Sequence, residues 1–192
     1  MDERWRVDLI VEAGRETLDE LWEVFLNSLE HLRERSAIKQ IVYRDEFDAL
    51  FADPRVIKVA VRDRHHDLRP AGLTIVSNDL AALPEPSADY FRARWPEHYD
   101  AGRVWYVSYL LVAPDYMGTT AGPLMIGFTL DLVSVEHGGV IGIDVSETNE
   151  ERVRFAKTLP RIADRLFARP VTGLRLDAQL FYAFEVPAAP TG

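Results

Sequence analysis

The sequence predicts an α/β fold of the α+β kind, with about seven strands interleaved with helices in one domain. Three observations predict it. Hydrophobic periodicity switches repeatedly between the two-residue repeat of strands and the 3.6-residue repeat of helices. One apolar, aromatic and β-branched run, Val104–Val112, reads as a mostly buried strand that feeds through a small-residue turn into an apolar helix. The chain has 192 residues, 47% hydrophobic and 28% charged, which suits a full core in one globular unit.

Taken in order, Val7, Leu9 and Val11 alternate with other residues and predict a first strand. Thr17 and Glu20 have capping-box spacing, and Leu18, Leu21, Trp22, Phe25, Leu29 and Leu32 then fall on one helical face. A shorter helix is expected over residues 44–52, with Phe47, Leu50 and Phe51 apolar and Pro54 beyond its end. Residues 56–61 and 71–76 read as strands joined by a polar turn, most simply an antiparallel hairpin. A polar, proline-punctuated insert follows at about 78–103, with one short helix expected over 88–95. Connections of this length are commonly a lid or a wall of a binding site, and Tyr90, Phe91, Trp95 and Tyr99 suit packing onto the body. Beyond the core strand, a helix is expected over 118–136 and a strand over 139–145. Thr148 and Glu151 make a second capping-box pair before a helix to about Ala168, kinked at Pro160. Residues 171–176 and 179–186 are the last expected strands.

Composition excludes several classes of function. Net charge is −9, from 22 basic and 31 acidic residues, which disfavours generic binding to nucleic acid or to an anionic membrane. The chain has no cysteine, so disulfides, thiolate metal sites and a cysteine nucleophile are ruled out. The histidines lack H-E-x-x-H or comparable spacing, and no metal is expected. His65 and His66 fall in a polar turn, and His137 reads as a cation at a helix C-terminus. Ser134, near it, lacks a G-x-S-x-G elbow. Residues 1–5 lack the basic and apolar regions of a signal peptide, and the expected location is cytoplasmic.

After Val112, Ala113 and Pro114 come Met117, Gly118, Thr119, Thr120, Ala121 and Gly122, and then the helix. A strand, a tight turn and a helix start together aim backbone N–H groups at one point, which suits an anion. The segment resembles the acetyl-CoA-binding core of the GNAT acetyltransferase superfamily, in which such a turn follows V-x-P and holds the cofactor pyrophosphate. The order β-α-α-β-β-β-α-β-α-β-β is similar to the GNAT fold across nearly the whole chain. The resemblance implies a single GNAT-like domain over 1–192, a mixed central sheet flanked by helices, and acetyl-CoA or another acyl-CoA as co-substrate without a metal. It places the cofactor on Leu111, Val112, Met117, Gly118, Thr119, Thr120, Ala121, Gly122 and Asn149. Laid on the family's R/Q-x-x-G-x-G/A signature, only Gly122 matches; Met117 stands where the family has Arg or Gln, and Thr120 where it has Gly. Gly118 fits the longer R-G-x-G-x-G form.

Acyl transfer to an amine needs a base and a proton donor for the leaving thiolate. The family's tyrosine on the helix after the next strand has no counterpart, since no tyrosine lies between Glu136 and Phe181; Phe155 stands in that neighbourhood. Tyr109, on the core strand with Tyr106 and Ser108, and Ser146, after the next strand, are therefore the catalytic candidates. Their ordinary alternatives are a packed ring and a helix cap. Strand alternation sets Ser108 and Leu110 opposite Tyr109 and Leu111. Glu97, His98 and Asp100 are candidate bases because the insert overlooks the site. Residues 104–151 hold seven acids and no Lys or Arg. Arg152, Arg154, Lys157, Arg161 and Arg165 on the next helix either supply the missing cofactor charge or form a solvated face.

The expected reaction moves an acetyl or other acyl group from acyl-CoA to an amine, on a small molecule, a peptide N-terminus or a lysine. One alternative is a catalytically inactive GNAT-fold scaffold that recognises a small ligand or, through the basic helix face, an acidic protein partner. Another is a transferase fed by an acyl-carrier protein. Such chains often pair as homodimers through their C-terminal strands, and Phe181, Tyr182 and Phe184 suit either that pairing or packing within the monomer.

Overall fold

The computed structural model describes residues 3–35, 41–133, 138–168 and 170–178. Five strands build one sheet in sequence order: β1 (Trp5–Ile10), β2 (Ile57–Asp63), β3 (Arg69–Ser77), β4 (Val104–Val112) and β5 (Val140–Ile143). The first four are antiparallel to their neighbours and β5 is parallel to β4, so the sheet is mixed. The parallel pair requires a crossover, supplied by helix α5 (Ala121–Val133).

Helices cover both faces. On one side lie α1 (Arg15–Leu29) and α2 (Arg44–Ala52). The apolar stripe of α1 buries Leu21, Val24, Phe25 and Leu29. Phe25 meets Phe47 of α2 at 5.3 Å and Tyr109 of β4 edge-on at 4.9 Å, which locks helix pair and strand together. On the other side α5 lies against β3, where a side chain at Gly72 would strike Met125. Outside β5, α6 (Glu147–Val153) and α7 (Phe155–Phe167) continue the layer. Ile126 and Leu130 of α5 and Ala163 of α7 form a second buried cluster. Gly127 lets the two helices close, because a Cβ there would overlap the Phe167 ring. Between β3 and β4 the chain forms α3 (Ala88–Arg94) and α4 (Pro96–Asp100), with Phe91 buried against the core.

Several expectations are corrected. The described residues hold five strands rather than seven: residues 171–176 form no strand, and residues 179–186, with Phe181, Tyr182 and Phe184, lie outside them. Val171 and Leu176 pack onto the two clusters while residues 172–175 are exposed. Alternation reports half-burial, whereas a strand also needs a ladder partner. Neither capping box forms. α1 starts before Thr17, with Gly14 as its N-cap and no side-chain cap, and Ser146 rather than Thr148 caps α6. The last helix is interrupted at Arg154, whose φ of 52° is left-handed, and α7 runs through Pro160. The insert holds two short helices rather than one. Ser134 and His137 lie outside the described residues.

The β3–β4 ladder carries an irregularity that matters for the site. Ile75 pairs with Tyr109 and Val76 with Val107, so Ser108 is the extra residue of a β-bulge. Paired residues share a face, and the bulge therefore brings Tyr106 and Tyr109, three apart, to the same side. Simple alternation would have opposed them.

Candidate active site

The site begins where β4 parts from β5. Their pairing ends at Val107 and Ile143, yet β4 runs on to Val112. Ala113 N donates to Ala71 O on the β3 side at 2.9 Å. Antiparallel alternation then turns the N–H and C=O groups of Leu110 and Val112 away from β3, toward the opening, and those of Leu111 toward β3. Ser28 of α1 donates to Val112 O at 3.1 Å, in keeping with that direction. Val107, Leu110, Ile126, Leu130, Ile143 and Leu159 line a narrow apolar cavity beside the opening.

At the end of β4 the turn forms as the small residues require. Gly118 is left-handed, at φ 79°, and a Cβ there would meet nothing within 4 Å. Thr119 Oγ1 donates to Tyr116 O at 2.7 Å and accepts from Ala121 N at 3.3 Å. Leu124 N donates to Thr120 O, which starts the helix. Pro123 carries no N–H, which reduces the donors of the first turn. Gly122 packs on the strand, 3.3 Å from its virtual Cβ to Val112 Cγ2. Met117 is exposed.

Thr120 is tied down from an unexpected direction. Trp5 Nε1, from β1, donates to its hydroxyl oxygen at 2.7 Å, which leaves the hydroxyl proton to donate elsewhere. The Arg4 guanidinium lies 4.6 Å from the Trp5 ring and 5.9 Å from Tyr116, and bonds Asp63 at 2.7 Å. Arg69, at the start of β3, pairs with Asp115 at 3.0 Å. The arginines that reach the turn from the starts of β1 and β3 each carry a carboxylate partner, so they bring hydrogen-bonding groups rather than net charge. Asp63 is fully buried, and the Arg4 hydrogen bond, helped by His66 and the His65 amide, holds its carboxyl far below the usual range. No local sequence signal marks this cluster, because only sheet register sets Trp5 opposite Asp63.

The other half of the site gathers on the α1 face. Tyr106 donates its hydroxyl to Asp144 Oδ1 at 2.9 Å, and Ser108 donates to Glu85 Oε2 at 3.0 Å. Burial first, then the Asp144 charge, pushes the Tyr106 hydroxyl well above its ordinary pKa. Tyr109 is raised by burial and by the charges of Glu85, Asp144 and Glu46. Glu85 is exposed as a residue, but desolvation of its carboxyl raises its pKa, with a further contribution from Asp144. Gly142 makes room: a Cβ there would stand 2.7 Å from Tyr106 Cδ2 and 2.8 Å from Phe91 Cζ.

Among the sequence-predicted residues, Tyr109 joins this group. Ser146 instead caps α6, accepting from Asn149 N at 3.3 Å, and Asn149 Oδ1 lies 3.0 Å from His31 Nε2 at the end of the first helical segment. Glu97 and Asp100 are exposed on α4, whereas the carboxylates that meet the β4 side chains are Glu85 and Asp144. Arg152, Arg154, Lys157 and Arg161 line a separate cleft of about 480 Å³ at the α6–α7 junction. Among the described residues no helix is long and apolar enough to cross a membrane.

The mixed sheet, the strand that parts from its parallel neighbour, and the turn into α5 define the class: the chain has the fold of the GNAT acetyltransferase superfamily. It is similar to an aminoglycoside acetyltransferase from an uncultured soil metagenomic sample, solved with sisomicin, at a TM-score of 0.58 and 10% identity over 96% of this chain and 99% of that one. It is also similar to a ribosomal-protein-alanine N-acetyltransferase from Brucella melitensis biovar Abortus 2308, at 0.55 and 12% over 94% and 99%. A third similar structure is AAC(6')-Iy bound to the bisubstrate analogue CoA-S-monomethyl-acetylneamine, at 0.55 and 8% over 96% and 100%. No protein-family model matches the chain, and no curated protein matches its sequence.

Proposed function

We propose that this protein is an N-acyltransferase that moves an acetyl or other acyl group from acyl-CoA to an amine in the cytoplasm. The observation that carries the reading is the parting of β4 from β5 directly below the turn into α5. In that opening the N–H groups of Leu110 and Val112 hold the thioester carbonyl and the pantetheine amides, where pre-aimed donors stabilise developing negative charge. The turn from Gly118 to Gly122 and the Thr120 hydroxyl receive the pyrophosphate on backbone N–H and hydroxyl donors. Asn149 flanks the cofactor, and Tyr109, kept protonated by its surroundings, donates to the departing thiolate. Similar structures hold an aminoglycoside or a CoA-linked aminoglycoside analogue, which supports a small-molecule amine as acceptor; a peptide N-terminus or lysine is the other form that acceptor takes.

Isothermal titration with acetyl-CoA tests the reading. Micromolar binding is expected, weakened at least tenfold by Gly122→Trp, whose ring would have to displace Val112. Absence of binding at millimolar acetyl-CoA would overturn it. The basic cleft favours a second reading, a scaffold for an acidic protein partner, because it concentrates cations on a chain of net charge −9. Charge reversal at Arg154 and Arg161 separates the two: loss of a partner with unchanged CoA affinity supports the scaffold.

A further inference from the structure

Resting on the acyltransferase reading, we infer that the acceptor is a cationic primary amine held between Glu85 and Asp144, and that Glu85 is the base that deprotonates it. Four observations carry this. Glu85 is flanked by Pro84 and Pro86, so its backbone is restricted on both sides, and Leu83 beside it is buried as an anchor. The bulge residue Ser108 then fixes the carboxylate at 3.0 Å, at the point on β4 just beyond the last pair with β5. Asp144, immediately after β5, lies on the other side of that opening, oriented by the Tyr106 hydroxyl at 2.9 Å. None of the ion pairs among the described residues involves either carboxylate, so both charges are available to a ligand.

The chemistry follows from that placement. An alkylammonium entering the opening meets two carboxylates, Glu85 of the insert held on Ser108 of β4 and Asp144 just past the end of β5, beside the Leu110 N–H that receives the thioester carbonyl. Glu85 accepts the first ammonium proton and passes it to solvent. The freed nitrogen lone pair forms the C–N bond, the C–S bond breaks, the Tyr109 hydroxyl gives its proton to the departing sulfur, and the nitrogen's second proton restores the Tyr109 hydroxyl. The groups that face Glu85 are Asp144 from the β5–α6 link and Ser108 and Tyr106 from β4, with Tyr109 nearby. Desolvation of the carboxyl, with the Asp144 charge adding to it and the Ser108 hydrogen bond opposing it, makes Glu85 a stronger base than an exposed glutamate, and activity is lost as pH falls through its raised pKa.

The test begins with calorimetric titration of spermidine into the wild type, Glu85→Gln and Asp144→Asn. Binding to the wild type is expected, weakened at least tenfold in each variant. Thiol release from acetyl-CoA is then followed with spermidine, 1,4-diaminobutane and the peptide Ala-Gly-Gly. Glu85→Gln is expected to lower the rate at least 100-fold at neutral pH and to remove the acidic limb of the pH profile, while acetyl-CoA affinity stays unchanged. Ser108→Ala, which frees the Glu85 carboxylate without removing it, is expected to produce a smaller loss with the acidic limb shifted rather than abolished. No spermidine binding to the wild type, equal binding in the variants, or transfer that is unaffected by Glu85→Gln would each overturn the inference. Loss of acetyl-CoA binding in the wild type would instead overturn the acyltransferase reading, and the amine titration still reports on Glu85 and Asp144 in that event.

Discussion

Two tyrosines three residues apart on β4 have different obligations. Tyr106 is buried and its hydroxyl donates a hydrogen bond to Asp144, so it orients a carboxylate. Tyr109 is half-buried against Phe25, and among the described residues no side chain holds its hydroxyl. Its position as a protonated hydroxyl without such a side-chain partner suits a donor to a thiolate, while the raised pKa leaves it a weaker acid than a free tyrosine. Tyr109→Phe is accordingly expected to lower kcat by about 100-fold, at the lower end of general-acid effects, with little change in acetyl-CoA affinity. Steady-state kinetics beside calorimetry checks it, and an unchanged kcat would remove Tyr109 from the mechanism.

The hinge between α6 and α7 shows how short-range chemistry sets an element. Ser146 satisfies the Asn149 N–H at the start of α6, and Arg154 ends that helix in a left-handed conformation that side chains other than glycine rarely adopt. Asn149, held one turn inside the cap, meets His31 from the other layer. Ser146→Ala should cost about 1 kcal/mol of stability through the lost cap. Denaturant unfolding measures that loss. If Ser146 acts only as a cap, kcat stays at the wild-type level once the variant is folded; a fall of 100-fold or more would give its hydroxyl a part in the reaction.

For the whole molecule, the Arg4–Asp63 pair couples stability to the cofactor turn. The folded-state pKa of Asp63 lies well below that of the unfolded chain, chiefly because of Arg4. Its contribution is thus complete above about pH 4, the unfolded value, and is lost as pH falls below it. Asp63→Asn is expected to lower stability at pH 7 by about 2 kcal/mol, the scale of a hydrogen bond to a charged group, and to flatten the dependence between pH 4 and 2. Melting curves across that range check the sign. Because Arg4 also stacks on Trp5, which bonds Thr120, acetyl-CoA affinity should weaken in the same variant.

Much of this protein was legible in the chain alone. The stripe of Leu21, Phe25 and Leu29, the run Val104–Val112 and the turn at Gly118 are local patterns, and local patterns are what periodicity and turn chemistry report. The capping boxes failed because S/T-x-x-E also occurs inside helices, and residues 171–176 failed because alternation cannot supply a partner strand. Three things were decided only by tertiary structure. The bulge at Ser108 put Tyr106 and Tyr109 on one face, and the insert brought Glu85 to Ser108 on the same strand whose Tyr106 holds Asp144. The sheet register carried Arg4 and Trp5 to a turn more than a hundred residues away in sequence. The physical reason is common to all three: charges and hydroxyls act through space, and the distances that matter are set by strand pairing, which one-dimensional spacing does not encode.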